Sequence, residues 1–267
     1  MSLAWMFFKR DAITATSYRT SFVVTLAGNF VLLIVCFFIG KMIGDQDIPA
    51  LEPYGGNFLA FLLIGIALTD SVGISLTTFA NQIREGQTTG SLEATLMSPA
   101  RLPAILFYSS LWSYFLSGTR FLLYTSLGLF FSDLGLENAN MGAGIVIFLL
   151  TVTAFAGFGM IWASVVMLVK RGDSIMSLAG SMIVLFSGVL FPVSELPDWM
   201  SSLSSLIPLT HGLEAMRLAL IQGLGLGDML DVVFKLLAFT VIFLVAGVLA
   251  FNGSIWLSKE GGSLSQF

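Results

Sequence analysis

The sequence predicts an all-α integral membrane protein with six transmembrane helices. Three observations carry that class. Of 267 residues, 56% are hydrophobic and only 10% are charged. The mean hydropathy is +0.92, more apolar surface than a soluble domain can hide. The apolar residues gather in six long runs parted by short polar stretches. A helix rising about 1.5 Å per residue needs roughly 20 such residues to cross about 30 Å of hydrocarbon. The net charge of −4 argues against nucleic acid as a partner and leaves the lipid bilayer. The single cysteine, Cys36, lies in an apolar run and reads as a small packing residue.

Residues 1–18 read as a helix in the membrane interface. Leu3, Trp5, Met6, Phe7 and Phe8 give it an apolar side beside Lys9, Arg10 and Asp11. Because the basic pair follows the apolar patch, the segment is not expected to be a cleaved signal. The spans are expected at about 22–43, 58–80, 103–131, 142–169, 174–191 and 229–251. Between them lie the acidic loop 44–57, the polar stretch 84–99, a loop with Asp133 and Glu137, and the tight basic turn Lys170–Asp173. A long segment, 192–228, precedes the last span. The basic residues orient the chain. Lys9, Arg10, Arg19, Arg84, Arg101, Lys170, Arg171 and Lys259 share one side, which is therefore cytoplasmic, with both termini inside.

The stretch 84–99 is the odd one out. It is polar, carries Gly86 and Gly90, and ends on Pro99. Thr88, Thr89 or Ser91 is expected to cap a helix with Glu93 in its first turn. Pro99 cannot continue that helix. Leu92 and Leu96 fall on one face, with Met97 beside them. Such a ridge must meet protein. On spacing alone, packing on its own bundle satisfies it as well as another chain does.

The pattern Glu85-Gly86, Gly90-Ser91-Leu92-Glu93, Leu96-Met97-Ser98-Pro99 resembles the Glu-Gly…Gly-Thr-Leu-Glu…Leu…Ser/Thr-Pro segment of type-2 ABC transporter permeases. Ser91 stands where the family usually has Thr. A second segment runs from Phe186-Ser187-Gly188 through Pro192, Leu196-Pro197 and Pro208-Leu209-Thr210-His211 to Arg217 and Gly223. It resembles the family's Ser-Gly…Pro…Leu-Pro…Pro-Leu-Thr-His…Arg…Gly region. Read physically, Pro192, Pro197 and Pro208 break it into short helices, about 196–207 and 210–222, with Gly223 as a C-terminal cap. Leu213, Met216 and Leu220 make one apolar stripe, and Glu214 can pair with Arg217 at i,i+3. Helices too short to cross read as a re-entrant hairpin in the outer leaflet.

The resemblance covers nearly the whole chain, and multidrug and daunorubicin-resistance exporters are the branch it suggests. It implies a permease subunit in the bacterial plasma (inner) membrane, with 84–99 as the coupling helix segment. Two separate ATPase subunits, binding ATP and Mg, would dock there. It also implies an N-terminal helix on the cytoplasmic side and a second permease copy, most simply a homodimer. The chain itself has no Gly-x-x-x-x-Gly-Lys-Ser/Thr loop, so it is expected to be a transport subunit without an ATPase site.

Two charges stand in the middle of spans: Asp70 in the second and Arg120 in the third. Intramembrane charges are expensive and face an interior or a pathway. These two can line a route, or pair with each other across adjacent antiparallel spans; the pair is the preferred reading. Gly65 with Gly73, and Gly157 with Gly159, allow close helix contact within the bundle or across a dimer. His211 is the only histidine and makes neither a metal site nor a triad alone; no metal is expected. The apolar walls suit a hydrophobic drug or lipid-like cargo. The 24 Phe residues leave a polysaccharide or glycolipid cargo open. The rival from another class is an ATP-independent secondary transporter using Asp70 as a proton site, and a membrane-embedded enzyme ranks third.

Overall fold

The structure, a computed structural model, describes residues 3–17, 34–42, 49–54, 57–90, 102–131, 139–169 and 173–260, with positions 24, 28 and 31 besides. Several expectations lie outside these residues. They are most of the first span, the loop at Asp133 and Glu137, the turn at Lys170–Gly172, and Ser91, Leu92, Glu93, Leu96, Met97 and Pro99 of the polar stretch.

Every regular element among the described residues is helical. The helices are α1 (Leu3–Ser17), α2 (Phe58–Thr88), α3 (Leu102–Phe131), α4 (Met141–Val169), α5 (Asp173–Phe186), α6 (Asp198–Ser204), α7 (Pro208–Ile221) and α8 (Leu230–Glu260). A helical stretch over 34–42 precedes α2, and three-residue-per-turn helices cover Pro49–Tyr54, Val193–Glu195 and Leu226–Met229. Three described segments are long and apolar enough to cross a membrane: Phe58–Thr88, Met141–Leu168 and Leu226–Leu257.

The α4 helix is central, packed against α2, α7 and α8, while α2 also meets α3. Glycine sets these distances. A Cβ on Gly157 would lie 2.5 Å from the Phe243 carbonyl of α8, and one on Gly159 would strike the Ser75 carbonyl of α2. The glycine pair thus serves contacts within the bundle. At Gly73, by contrast, a Cβ would meet nothing within 4 Å. Asparagines start two of the helices: Asn57 Oδ1 accepts from Ala60 N at 3.1 Å and Asn140 Oδ1 from Ala143 N at 3.0 Å. Cys36 is buried, as its apolar run suggests.

Three boundaries depart from the sequence expectations. The helix of the second span does not stop near Ala80 but runs on to Thr88. Thr88 and Thr89 therefore close α2 instead of opening a new helix. Both hydroxyls donate to the Glu85 carbonyl, at 3.1 and 2.7 Å, and Gly90 follows at φ 68°. That is a helix C-terminus with glycine in the left-handed position. The fifth apolar run is helical only to Phe186, five residues short of Phe191. Ser187 Oγ donates back to the Ile183 carbonyl, and Gly188 takes φ 74°, which turns the chain out of the helix. The last helix continues past Phe251 to Glu260, into what the sequence presents as a polar tail.

The N-terminal helix is docked on α3 through rings. Phe7 stacks on Tyr108, and Phe8 meets Trp112 and Phe115 edge-on, with centroids 6.2, 5.2 and 5.5 Å apart. Arg10 Nη2 donates to Ser109 Oγ at 3.2 Å.

Candidate functional site

The region 192–228 folds around one arginine. Pro192 and Pro197 take extended backbone before the helices at Val193–Glu195 and Asp198–Ser204. Pro208 occupies the first turn of α7, where its missing N–H costs nothing. Gly223, at φ 72°, ends α7, and the Leu224 N–H returns to the Leu218 carbonyl at 3.2 Å. Leu213, Met216 and Leu220 are buried as the predicted stripe. That stripe turns the adjacent Arg217 inward, to 3% exposure.

Arg217 does not pair with Glu214. Its Nη1 donates to the Gly188 carbonyl at 2.9 Å, and its Nη2 to the carbonyls of Val189 at 3.1 Å and Phe61 at 3.3 Å. The guanidinium carbon lies 3.4 Å over the Phe61 ring and 5.7 Å from that of Tyr54. The physical reason is local. The turn after α5 leaves backbone carbonyls without helical partners, and a planar fork with five donors satisfies several at once. Charge-assisted hydrogen bonds of this kind contribute about 1.5–3 kcal/mol each. Gly65 makes the room: a Cβ there would sit 2.7 Å from the Val189 carbonyl and 3.1 Å from Nη2. One side chain thus ties α7 to α2 and to the end of α5. Sequence reasoning missed this because Glu214 offered a nearer partner. The available signal was the position of Arg217, one residue beyond Met216 at the edge of the buried stripe.

Beside this arginine lies a cavity of about 370 Å³. Its wall includes Arg217, Glu214, His211, Ser194, Ser201 and Ser205. His211 is 8% exposed and its ring stacks on Phe239 at 5.7 Å. Its Nε2 contacts the Ser205 carbonyl at 2.9 Å. A carbonyl only accepts, so Nε2 carries the proton and Nδ1 is the acceptor in the neutral ring. Thr210 Oγ1 donates to the Ser204 carbonyl, and Ser204 Oγ to the Phe186 carbonyl, which joins α6 and α7 to the end of α5. Tyr54 closes one side. Burial pushes its hydroxyl above the ordinary phenol range, with Arg217 opposing in part, so it stays neutral.

The two intramembrane charges come together. Arg120 Nη1 lies 3.5 Å from Asp70 Oδ2, with both side chains partly exposed. That is a charge contact longer than a good hydrogen bond. At the far end of α2, Glu85 and Gly86 lie in its last turns and Gly90 just beyond. The structure therefore places the start of the 84–99 stretch on the end of a continuous helix that also reaches Arg217, through Phe61, and Asp70.

Comparison with known proteins adds the family. The profile of the ABC-2 type transporter family matches residues 5–221. Nodulation protein J of Sinorhizobium fredii is similar, 25% identical over 250 residues that cover 87% of this chain and 88% of that protein. The family match begins in the ring-docked α1 and ends on the last residue of α7, so it takes in α2 to α7, the 84–99 stretch and the arginine cage, and stops short of α8. The chain belongs to the ABC-2 type transporter family, whose members are multi-pass membrane subunits of ABC exporters.

Proposed function

We infer that this chain is one half of an exporter that moves a hydrophobic drug or lipid-like molecule outward. Two separate ATPase subunits, carrying ATP and Mg, supply the energy, and a second copy of the chain completes the route as a homodimer. The setting is a bacterial plasma membrane, crossed six times, with both termini cytoplasmic. Segment 192–228 re-enters the outer leaflet.

The observation that carries this reading is α2. It runs unbroken for 31 residues, about 46 Å of rigid helix. At one end it delivers the chain into the coupling segment, whose residues Glu85, Gly86, Gly90, Leu92, Glu93, Leu96, Met97 and Pro99 match the family pattern. At the other end its Phe61 carbonyl belongs to the arginine cage. Closure of two ATPases against Leu92 and Leu96 pushes a lever that reaches the outer bracket. The two permease copies then rock between states, which is alternating access by rigid bodies.

The re-entrant reading is supported by length. The 7 residues of α6 and the 14 of α7 cover only about 10 and 21 Å. Non-helical backbone at membrane depth needs internal donors, and Arg217 provides them for Gly188 and Val189. The apolar face of α5 (Ile175, Leu178, Met182, Leu185), 43–61% exposed in the single chain, favours a lipid-like cargo over a long polysaccharide. Family membership favours ATP-driven export over the scheme in which Asp70 takes a proton.

The test is co-purification. Detergent-solubilised chain is expected to retain a cognate ATPase, and Leu92→Asp/Leu96→Asp to lose it while keeping the same thermal melt. Retention of the ATPase by the double variant would remove the coupling role from this segment.

A further inference from the structure

The cavity beside Arg217 has an arrangement of charge that the export reading does not use. Its cation is inside: Arg217 is 3% exposed, its Nε has no acceptor among the described residues, and no carboxylate lies within ion-pair distance of it there. Its anion is at the rim: Glu214 lines the same cavity but is exposed to the outside. Three residues apart on one helix, the two side chains leave their backbone about 5–6 Å from each other, yet they point to different depths. Ser194, Ser201 and Ser205 line the same cavity; the Ser205 hydroxyl donates to the Ser202 carbonyl at 2.7 Å and keeps its acceptor lone pair. The nearby cation on α8, Lys235, is engaged by Asp231 at 2.6 Å.

A buried positive charge in the wall of a cavity calls for an anion, and an exposed carboxylate in the same wall calls for a cation with N–H donors. A single small molecule meets both when phosphate and primary amine are two methylenes apart. The apolar surroundings say how such a molecule is presented. Trp199, Leu203 and Leu206, neighbours of Ser201 and Ser205, are 62%, 44% and 65% exposed. Exposed aromatic and aliphatic side chains beside a pocket that holds charged and hydroxyl groups are what lies against acyl chains at a membrane interface. The volume, about 370 Å³, is within the range of ligand pockets, roughly 300–1,000 Å³.

We propose that this cavity is a binding site for the ethanolamine phosphoester headgroup of an outer-leaflet lipid, with phosphate toward Arg217 and ammonium at Glu214. Lipid held there braces α7 against the turn at Gly188. A choline headgroup lacks the N–H donors that Glu214 and the serines accept from or pair with, and a glycerol headgroup lacks the cation. Sites built around hydrogen-bonded groups discriminate strongly against analogues without them.

The experiment uses the full chain, purified in detergent and stripped of phospholipid. It is titrated with short-chain phosphatidylethanolamine, phosphatidylcholine and phosphatidylglycerol and read by native mass spectrometry. One saturable ethanolamine lipid per chain is expected, at least about tenfold tighter than the other two. Glu214→Gln, at an exposed position, is expected to erase that preference, and Ser201→Phe to abolish binding by filling the cavity. Soluble phosphoethanolamine is expected to compete only weakly. Equal affinity for the soluble ester would overturn the lipid as its source. The site itself is overturned if the three headgroups bind alike, or if the preference survives both variants. A chain that couples to its ATPase but shows no headgroup preference sinks this site and leaves the transporter reading standing.

Discussion

Asp70 and Arg120 are held 3.5 Å apart by helices α2 and α3, which pack along their length. Removing one partner strands a charge, and the remaining group then carries its desolvation cost alone. Asp70→Asn and Arg120→Gln are each expected to lower the melting temperature and the export rate. The double variant is expected to be less impaired than the sum, by a coupling of roughly 0.5–3 kcal/mol. Simple additivity in both readouts would show that the contact carries no energy. Arg217 differs in kind. Its partners are backbone carbonyls, so its loss takes a charged donor away from the turn at Gly188 and Val189. The sequence pattern marked Arg217 as part of a family motif. It gave Glu214 as partner, and the structure replaces that carboxylate with the turn at Gly188.

At the scale of elements, α4 is clamped between α2 and α8 by glycines whose missing Cβ atoms are filled by backbone from the neighbour. Gly157→Val is therefore expected to push α4 from α8 and to destabilise the chain by about 1–3 kcal/mol or more. Gly73→Ala, in open space, is expected to be neutral or to stabilise by up to about 1 kcal/mol through helix propensity. Thermal melts of the two variants in one detergent check the contrast, and equal shifts would mean that the glycine joint is not what sets the packing. Both glycines sit in apolar runs and look alike in sequence. Which one touches a neighbour depends on the rotation of each helix about its axis, and the neighbours decide that.

At the scale of the whole molecule, one chain leaves apolar faces uncovered. Ile175, Leu178, Met182 and Leu185 form a stripe on α5, and Ile34, Val35 and Phe38 stand out from the helical stretch 34–42. Spacing of three and four residues puts the α5 set on one side of its helix. In the proposed homodimer this side faces the second copy. Leu178→Cys in a Cys36→Ser background is expected to give a disulfide-linked dimer in membranes under mild oxidation. Met42→Cys, at a residue that is 88% exposed, is the comparison. Cross-linking from Met42→Cys alone would move the dimer seam away from α5.

The membrane class, the helical architecture of the described residues and the family followed from the sequence by itself. Apolar runs must become helices in lipid, where every backbone group needs a partner within reach, and motif residues such as Glu85, Gly90 and Pro208 carry their identity in their side chains. The end of α5 and the extension of α2 to Thr88 were not legible in that way. Serine and threonine hydroxyls close either side of a helix boundary, and only the folded backbone shows which. The arginine cage was decided wholly by tertiary structure. Arg217 reaches across 156 residues to Phe61 and 29 to Gly188, and it binds each through its carbonyl. A backbone carbonyl is the same group in every residue, so no letter in the sequence distinguishes the ones that a buried guanidinium will find.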